Sequence, residues 1–132
     1  MSIQIKQNDF IQSIADSLQY ISYYHPQDFI QAMAKAYEHE ESPAAKDAIA
    51  QILTNSRMCA EGRRPICQDT GIVNVFIKIG MGVRFEGFAG AYTLTDAINE
   101  GVRRGYANPD NVLRASIVAD PLFERKNTKD NH

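Results

Sequence analysis

Tryptophan is absent from the 132 residues, cysteine occurs only twice, and neither charge sign dominates: 14 Lys plus Arg stand against 16 Asp plus Glu, a formal charge of -2. The balanced charge removes any general attraction to nucleic acid or anionic lipid, so an anion site has to be local and no nucleic-acid partner is expected. No apolar run approaches the roughly 18 residues of a membrane span, and Met1-Ser2-Ile3-Gln4 lacks a basic-then-apolar signal pattern. No membrane partner and a cytoplasmic location are therefore expected. Two cysteines, Cys59 and Cys67, are too few to staple a secreted scaffold and lack zinc-ligand spacing, which points to reduced thiols. Glycine-rich, proline-rich and repetitive tracts are also missing, which excludes fibrous and low-complexity classes. What is present is 44% apolar residues in a length that suits one domain over residues 1–132.

The first sixty residues carry helical spacing. Phe10, Ile14, Leu18 and Ile21, with Ile11 beside them, predict a helix from about Asn8. His25-Pro26 opens a second, with Phe29, Met33 and Tyr37 as its stripe, because proline suits a first helical turn whose N–H has no partner. Ser42-Pro43 repeats the signal with Ser42 as N-cap, and the third helix runs through Ala45, Ile49, Ile52 and Ser56 to Cys59, ending near Gly62.

Beyond Gly62 the period changes. The β-branched run Ile72 to Ile79, bounded by Gly71 and Gly80, predicts a largely buried strand. Met81-Gly82 then reads as a turn into a second, shorter strand at Val83-Arg84-Phe85. Thr93 or Thr95 caps a further helix carrying Leu94, Ala97, Ile98 and Val102 and closing near Gly105. Asn111 to Ala119 fits a short strand or a helical turn, with strand preferred. The predicted fold class is thus α+β: N-terminal helices packed on a small, mainly antiparallel sheet, with a further helix. Glu124 to His132 is polar, follows an apolar run without a returning element, and reads as an interruption of a longer chain.

Chemistry concentrates in Arg63-Arg64-Pro65-Ile66-Cys67-Gln68-Asp69-Thr70-Gly71, which joins a helix end to a strand start. Arg63 and Arg64 favour a thiolate nearby, Asp69 can accept a proton or orient a polar ligand, and Gln68 offers amide donors and an acceptor. The plain alternative is a turn in which Asp69 and Thr70 bond neighbouring backbone and Cys67 fills a gap. Cys59 continues the apolar face of the third helix and reads as buried filler. Arg103 and Arg104 read as surface charge, and His25, His39 and His132 are too dispersed to supply a base.

The same stretch resembles the signature of the iron–sulfur hydro-lyases, the class I fumarate hydratases and the alpha subunits of L(+)-tartrate dehydratases. Asn111-Val112-Leu113-Arg114-Ala115-Ser116 and the segment from Asp120 to Thr128 resemble that family in the same order. The resemblance implies that Cys67 is one of three cysteine ligands of a 4Fe-4S cluster, with the other two beyond Asn131. It also implies that Gln68 and Asp69 contact substrate and that Arg114 pairs with a substrate carboxylate, for which a planar, permanently charged guanidinium is suited. No residue of this chain is assigned as the catalytic base. The implied partners are a dicarboxylate substrate, the remainder of the enzyme or a beta subunit, and further copies in a homo-oligomer. The implied reaction is hydration of fumarate to L-malate by the full-length parent, with L(+)-tartrate dehydration as the alternative. With one loop cysteine, the chain alone is expected to hold no cluster, to be inactive, and to expose apolar surface. A non-catalytic interaction module is the competing class, and it has no use for Cys67 beside Gln68 and Asp69.

Overall fold

The computed structural model describes residues 2–69, 71–114, 122, 123, 126, 128 and 131. The described elements are β1 (Ile3–Lys6), α1 (Gln7–Tyr23), α2 (Gln27–His39), α3 (Pro43–Gly62), β2 (Val83–Glu86) and α4 (Leu94–Tyr106). They fall into two compact units, Met1–Gln19 with Asp69–His132, and Tyr20–Gln68.

In the first unit, β1 and β2 form a two-stranded sheet, paired in parallel with Ile3 opposite Val83 and Lys6 opposite Glu86. This corrects the expected antiparallel sheet. The run Ile72 to Ile79 forms no ladder with Val83-Arg84-Phe85. Instead the amide of Val83 donates to the Gly80 carbonyl across a tight turn, and that of Ile3 donates to Gly82, so the N-terminal segment takes the place beside β2. The alternation of Ile3 and Ile5 with Gln4 and Lys6 supplies the strand, and the helices between the strands are the crossover that parallel pairing demands. Ile72 to Ile79 lies outside any described strand, and most of its side chains face solvent, Phe76 at 95% exposure.

The core of this unit lies between α1 and α4. Leu18, Val102, Tyr106 and Leu113 form the buried cluster, with Ile14, Val73 and Ile98 packed against it. Phe10 meets Phe85 edge-on at 5.7 Å between ring centroids and Phe85 meets Phe88 at 5.4 Å, which ties the sheet to α1. The helices approach closely because α4 presents Gly101 and Gly105, one turn apart, to Ile14 and Leu18. Thr93 is the N-cap of α4. Its hydroxyl accepts from the Asp96 amide while Asp96 Oδ2 accepts from the Thr93 amide at 2.7 Å, a reciprocal capping box. The Thr93 hydroxyl also donates to Asp96 Oδ2 at 2.7 Å, and that bond first, then the one from the Thr93 amide, holds the Asp96 carboxyl below its ordinary value.

The second unit is a helical pair, α2 and α3, with the last turn of α1. Ser42 occupies the N-cap of α3 without a side-chain cap bond. The left-handed residue at its far end is Arg63 (φ 48°) rather than Gly62. His25 Nδ1 lies 3.0 Å from Ser56 Oγ, and the His25 ring stacks on Phe29. Arg114 ends the described part of the segment expected as a strand at Asn111 to Ala119. Residues 111–114 are not strand, and 115–119 lie outside the described residues, as does Thr70.

Candidate functional site

The loop that carries Cys67 is anchored before it reaches the cysteine. Within the second unit, Asn55 Nδ2 donates to the Ile66 carbonyl at 3.0 Å and the Ile66 amide donates to the Ser22 carbonyl at 2.8 Å. The amides of Arg63 and Arg64 both turn back to the Cys59 carbonyl, so the chain leaves α3 through a sharp reversal. Cys59 lies beneath that reversal at 6% exposure, its sulfur 3.5 Å from the Pro65 carbonyl and 3.6 Å from Asn55 Oδ1. It is a packed, hydrogen-bonded thiol. Cys67, by contrast, is exposed, and Gln68 beside it is exposed too. The two cysteines thus divide into one structural and one available group, as their sequence contexts suggest.

Asp69 and Arg114 belong to the first unit, and both are exposed. The negative charge of Asp69 acts on Tyr106. Burial is the main reason that the Tyr106 phenol is raised above its ordinary value, and the Asp69 carboxylate adds to it. Arg114 follows the turn that closes α4. The Asn111 amide donates to the Asn108 carbonyl at 3.2 Å, Asn108 Oδ1 accepts from the Asp110 amide at 2.9 Å, and the Leu113 amide returns to the Tyr106 carbonyl at 3.1 Å. Gln19, 8% exposed, joins this turn from α1. Its Nε2 donates to the carbonyls of Gly105 (2.7 Å) and Asn111 (2.9 Å), and its Oε1 accepts from Asn111 Nδ2 (2.8 Å). Sequence reading did not single out Gln19, because a glutamine beside an apolar stripe reads as a solvated side chain.

Arg103 and Arg104 are more than loose surface charge. Both guanidinium groups donate to Glu100, each with a shortest contact of 2.7 Å, and Arg104 also donates to Asn8 Oδ1 at 3.0 Å. With Gln12, Ala15 and Asn108 to Asp110 among its other walls, they border an open recess of about 310 Å³.

Among the described residues no three His, Cys, Asp or Glu side chains converge to hold a metal. One exposed thiol on an anchored loop fits a single cluster ligand, and the buried Cys59 does not present a second. No helix among the described residues is long and apolar enough to cross a membrane.

The family model described as Fumarate hydratase (Fumerase) matches residues 11–132, and the chain belongs to that hydro-lyase family. It is 34% identical over 108 residues to a protein of Methanocaldococcus jannaschii named "Putative L(+)-tartrate dehydratase subunit alpha". The match covers 82% of this chain and 35% of that relative, so the chain spans about a third of the relative's length.

Proposed function

We propose that this chain is the N-terminal portion of an iron–sulfur hydro-lyase whose complete form reversibly adds water to fumarate to give L-malate. The observation that carries the reading is the family match over residues 11–132 joined to an exposed Cys67 on an anchored loop. In this reading Cys67 is one of three thiolate ligands of a 4Fe-4S cluster, and the other two come from polypeptide outside these residues. Such a cluster, with one iron lacking a protein ligand, supplies Lewis acidity toward a substrate hydroxyl and carboxylate. The chain's own residues bind and orient. Gln68 and Asp69 follow Cys67 and contact the substrate, Gln68 through its amide and Asp69 through its carboxylate. Arg114 holds a substrate carboxylate through its planar fork. The assembly is cytoplasmic, and the isolated 132 residues are inactive.

A second reading has its own support. The relative is named for tartrate dehydration, so L(+)-tartrate is as well supported as fumarate. Its name as an alpha subunit also favours a partner subunit for the complete enzyme, and homo-oligomerisation is compatible with that. An assay of the complete enzyme with L-malate and with L(+)-tartrate separates the two. A strong preference for tartrate would overturn the fumarate assignment, and activity toward neither would return the chain to the class of non-catalytic interaction modules.

A further inference from the structure

We infer that Gln19, acting through Asn111, is the positioning residue for Arg114, and that the Asn-x-Leu-Arg stretch is a rigid mount in which Asn111 and Leu113 place the arginine. The inference rests on the reading that Arg114 meets a substrate carboxylate. Gln19 reaches from α1 into the end of α4, where the last carbonyls of a helix have no partner of their own. One of them, Gly105 O, receives Gln19 Nε2 at 2.7 Å. The second proton of the same nitrogen goes to Asn111 O at 2.9 Å, and the Asn111 side chain answers by donating to Gln19 Oε1 at 2.8 Å. The Gln19 carboxamide thus holds the mount through three hydrogen bonds, in a buried position where an unpaired amide would be costly.

The remaining positions of the stretch complete the mount. Val112 points to solvent, while Leu113 is buried against Leu18, Val102 and Tyr106 and sends its amide to the Tyr106 carbonyl. The backbone is thus fixed at 111 by polar bonds and at 113 by packing plus one backbone bond. Arg114, the next residue, leaves the core and is exposed. A carboxamide is the side chain this clamp requires. A carboxylate at 19 would set a charged oxygen against two carbonyl oxygens, and a leucine would leave those carbonyls without their donor. The bare Cα of Gly105 is part of the same device, because a Cβ there would stand 3.1 Å from Leu18 Cβ and 3.2 Å from the Ala15 carbonyl, pushing α1 away.

The test uses the 132-residue chain, labelled with ¹⁵N, and the variants Gln19→Leu, Gln19→Glu and Asn111→Ala. Amide exchange is read at Leu113 and at Val102 of α4, and the Arg114 Nε–H signal is followed during titration with L-malate and with L(+)-tartrate. Both Gln19 variants should speed exchange at Leu113 at least about tenfold, the equivalent of leaving one buried acceptor unpaired, with little change at Val102. They should also shift the Arg114 Nε–H signal in the absence of ligand, and weaken whichever dicarboxylate moves it by about threefold or more. Unchanged Leu113 exchange and an unchanged Arg114 signal in the Gln19 variants would overturn the inference. If Gln19→Leu loosens Val102 as well, Asn111→Ala decides, since it removes one bond and leaves the core intact: Leu113 must still exchange faster. Unchanged hydration of fumarate and dehydration of L(+)-tartrate by Arg114→Ala in the complete enzyme would count against the substrate role of Arg114 itself, while the exchange data would still decide whether Gln19 fixes its mount.

Discussion

A Cβ placed on Gly101 would lie 2.6 Å from Cβ of Ile14 and 2.9 Å from the Ile11 carbonyl, so α1 and α4 touch at a point where only a glycine fits. The absence of one methyl group sets the distance between the two helices that frame the core. It also sets the reach of Gln19, one turn and a half further along α1.

Gly101→Ala is therefore expected to destabilise the protein. Alanine favours a helix over glycine by about 1 kcal/mol. The clash involves a backbone carbonyl and a β-carbon, neither of which can swing aside, and overpacking of this kind costs about 1–3 kcal/mol or somewhat more. The net expectation is a lower urea midpoint with an unchanged slope. Gly105→Ala, with its nearest contact at 3.1 Å, should lower it less. A higher midpoint for Gly101→Ala would mean that the helices are not packed this closely.

Acid should weaken the first unit through Glu100. Its carboxyl is lowered from 4.5 to about 2, chiefly by hydrogen bonds from Arg103 and then Arg104. A carboxyl with a depressed folded value stabilises fully above its unfolded value and loses that contribution as pH falls through the folded one. Thermal stability should thus be level above about pH 4.5 for this group and decline between about 4.5 and 2. Both arginines are partly exposed, so the effect is modest and shrinks in salt. Glu100→Gln should flatten the decline in that window, and a variant with the same acid slope as the wild type would contradict the assignment.

The two thiols should be chemically unequal. Cys67 is exposed, whereas Cys59 is buried and within hydrogen-bond reach of the Pro65 carbonyl. Limited alkylation with iodoacetamide followed by peptide mass spectrometry should modify Cys67 at least about tenfold faster. Equal rates would show that the reversal over Cys59 opens readily.

Ile72 to Ile79 should drive self-association of the isolated chain. Ile72 and Phe76 are the most exposed apolar side chains of a β-branched run whose backbone amides have no hydrogen-bond partner among the described residues, which is the chemistry of an unpaired strand edge. Phe76→Lys should reduce the mass seen by light scattering at high protein concentration while leaving the helical circular dichroism unchanged. A strictly monomeric wild type would remove the expectation.

Much of the helical layer was legible because periodicity needs only the local sequence. The stripes through Leu18, Met33, Ser56 and Val102 predict α1 to α4 closely, and of the two threonines offered as the cap of α4 the structure uses Thr93. The stripe on α1 is nevertheless rotated: Ile21 is exposed and Gln19 is buried, because the partner surface and not the helix chooses the inward face. The sheet was half legible: the strand expected at Val83-Arg84-Phe85 is β2, whereas its partner β1 and their parallel pairing were not foreseen. Four residues at Ile3–Lys6 are too short a signal, and a β-branched run such as Ile72 to Ile79 becomes a strand only if another strand meets it. The end of α3 at Gly62 was legible, but the left-handed residue that closes it is Arg63, because Gly62 still belongs to the helix. The Cys67 loop was legible through its motif, whereas the anchoring of that loop by Asn55 and of Arg114 by Gln19 involves residues far apart in sequence.

The measurement that bears most directly on the account is a pair of cysteine substitutions in the complete hydro-lyase, prepared without oxygen. Iron content, absorbance near about 400 nm and hydration of fumarate are read together. Cys67→Ser should lose the absorbance and the activity, while Cys59→Ser, which alters a buried thiol beneath the loop, should keep both. A Cys67→Ser enzyme that retained its cluster absorbance and its activity would contradict the proposed role of this chain.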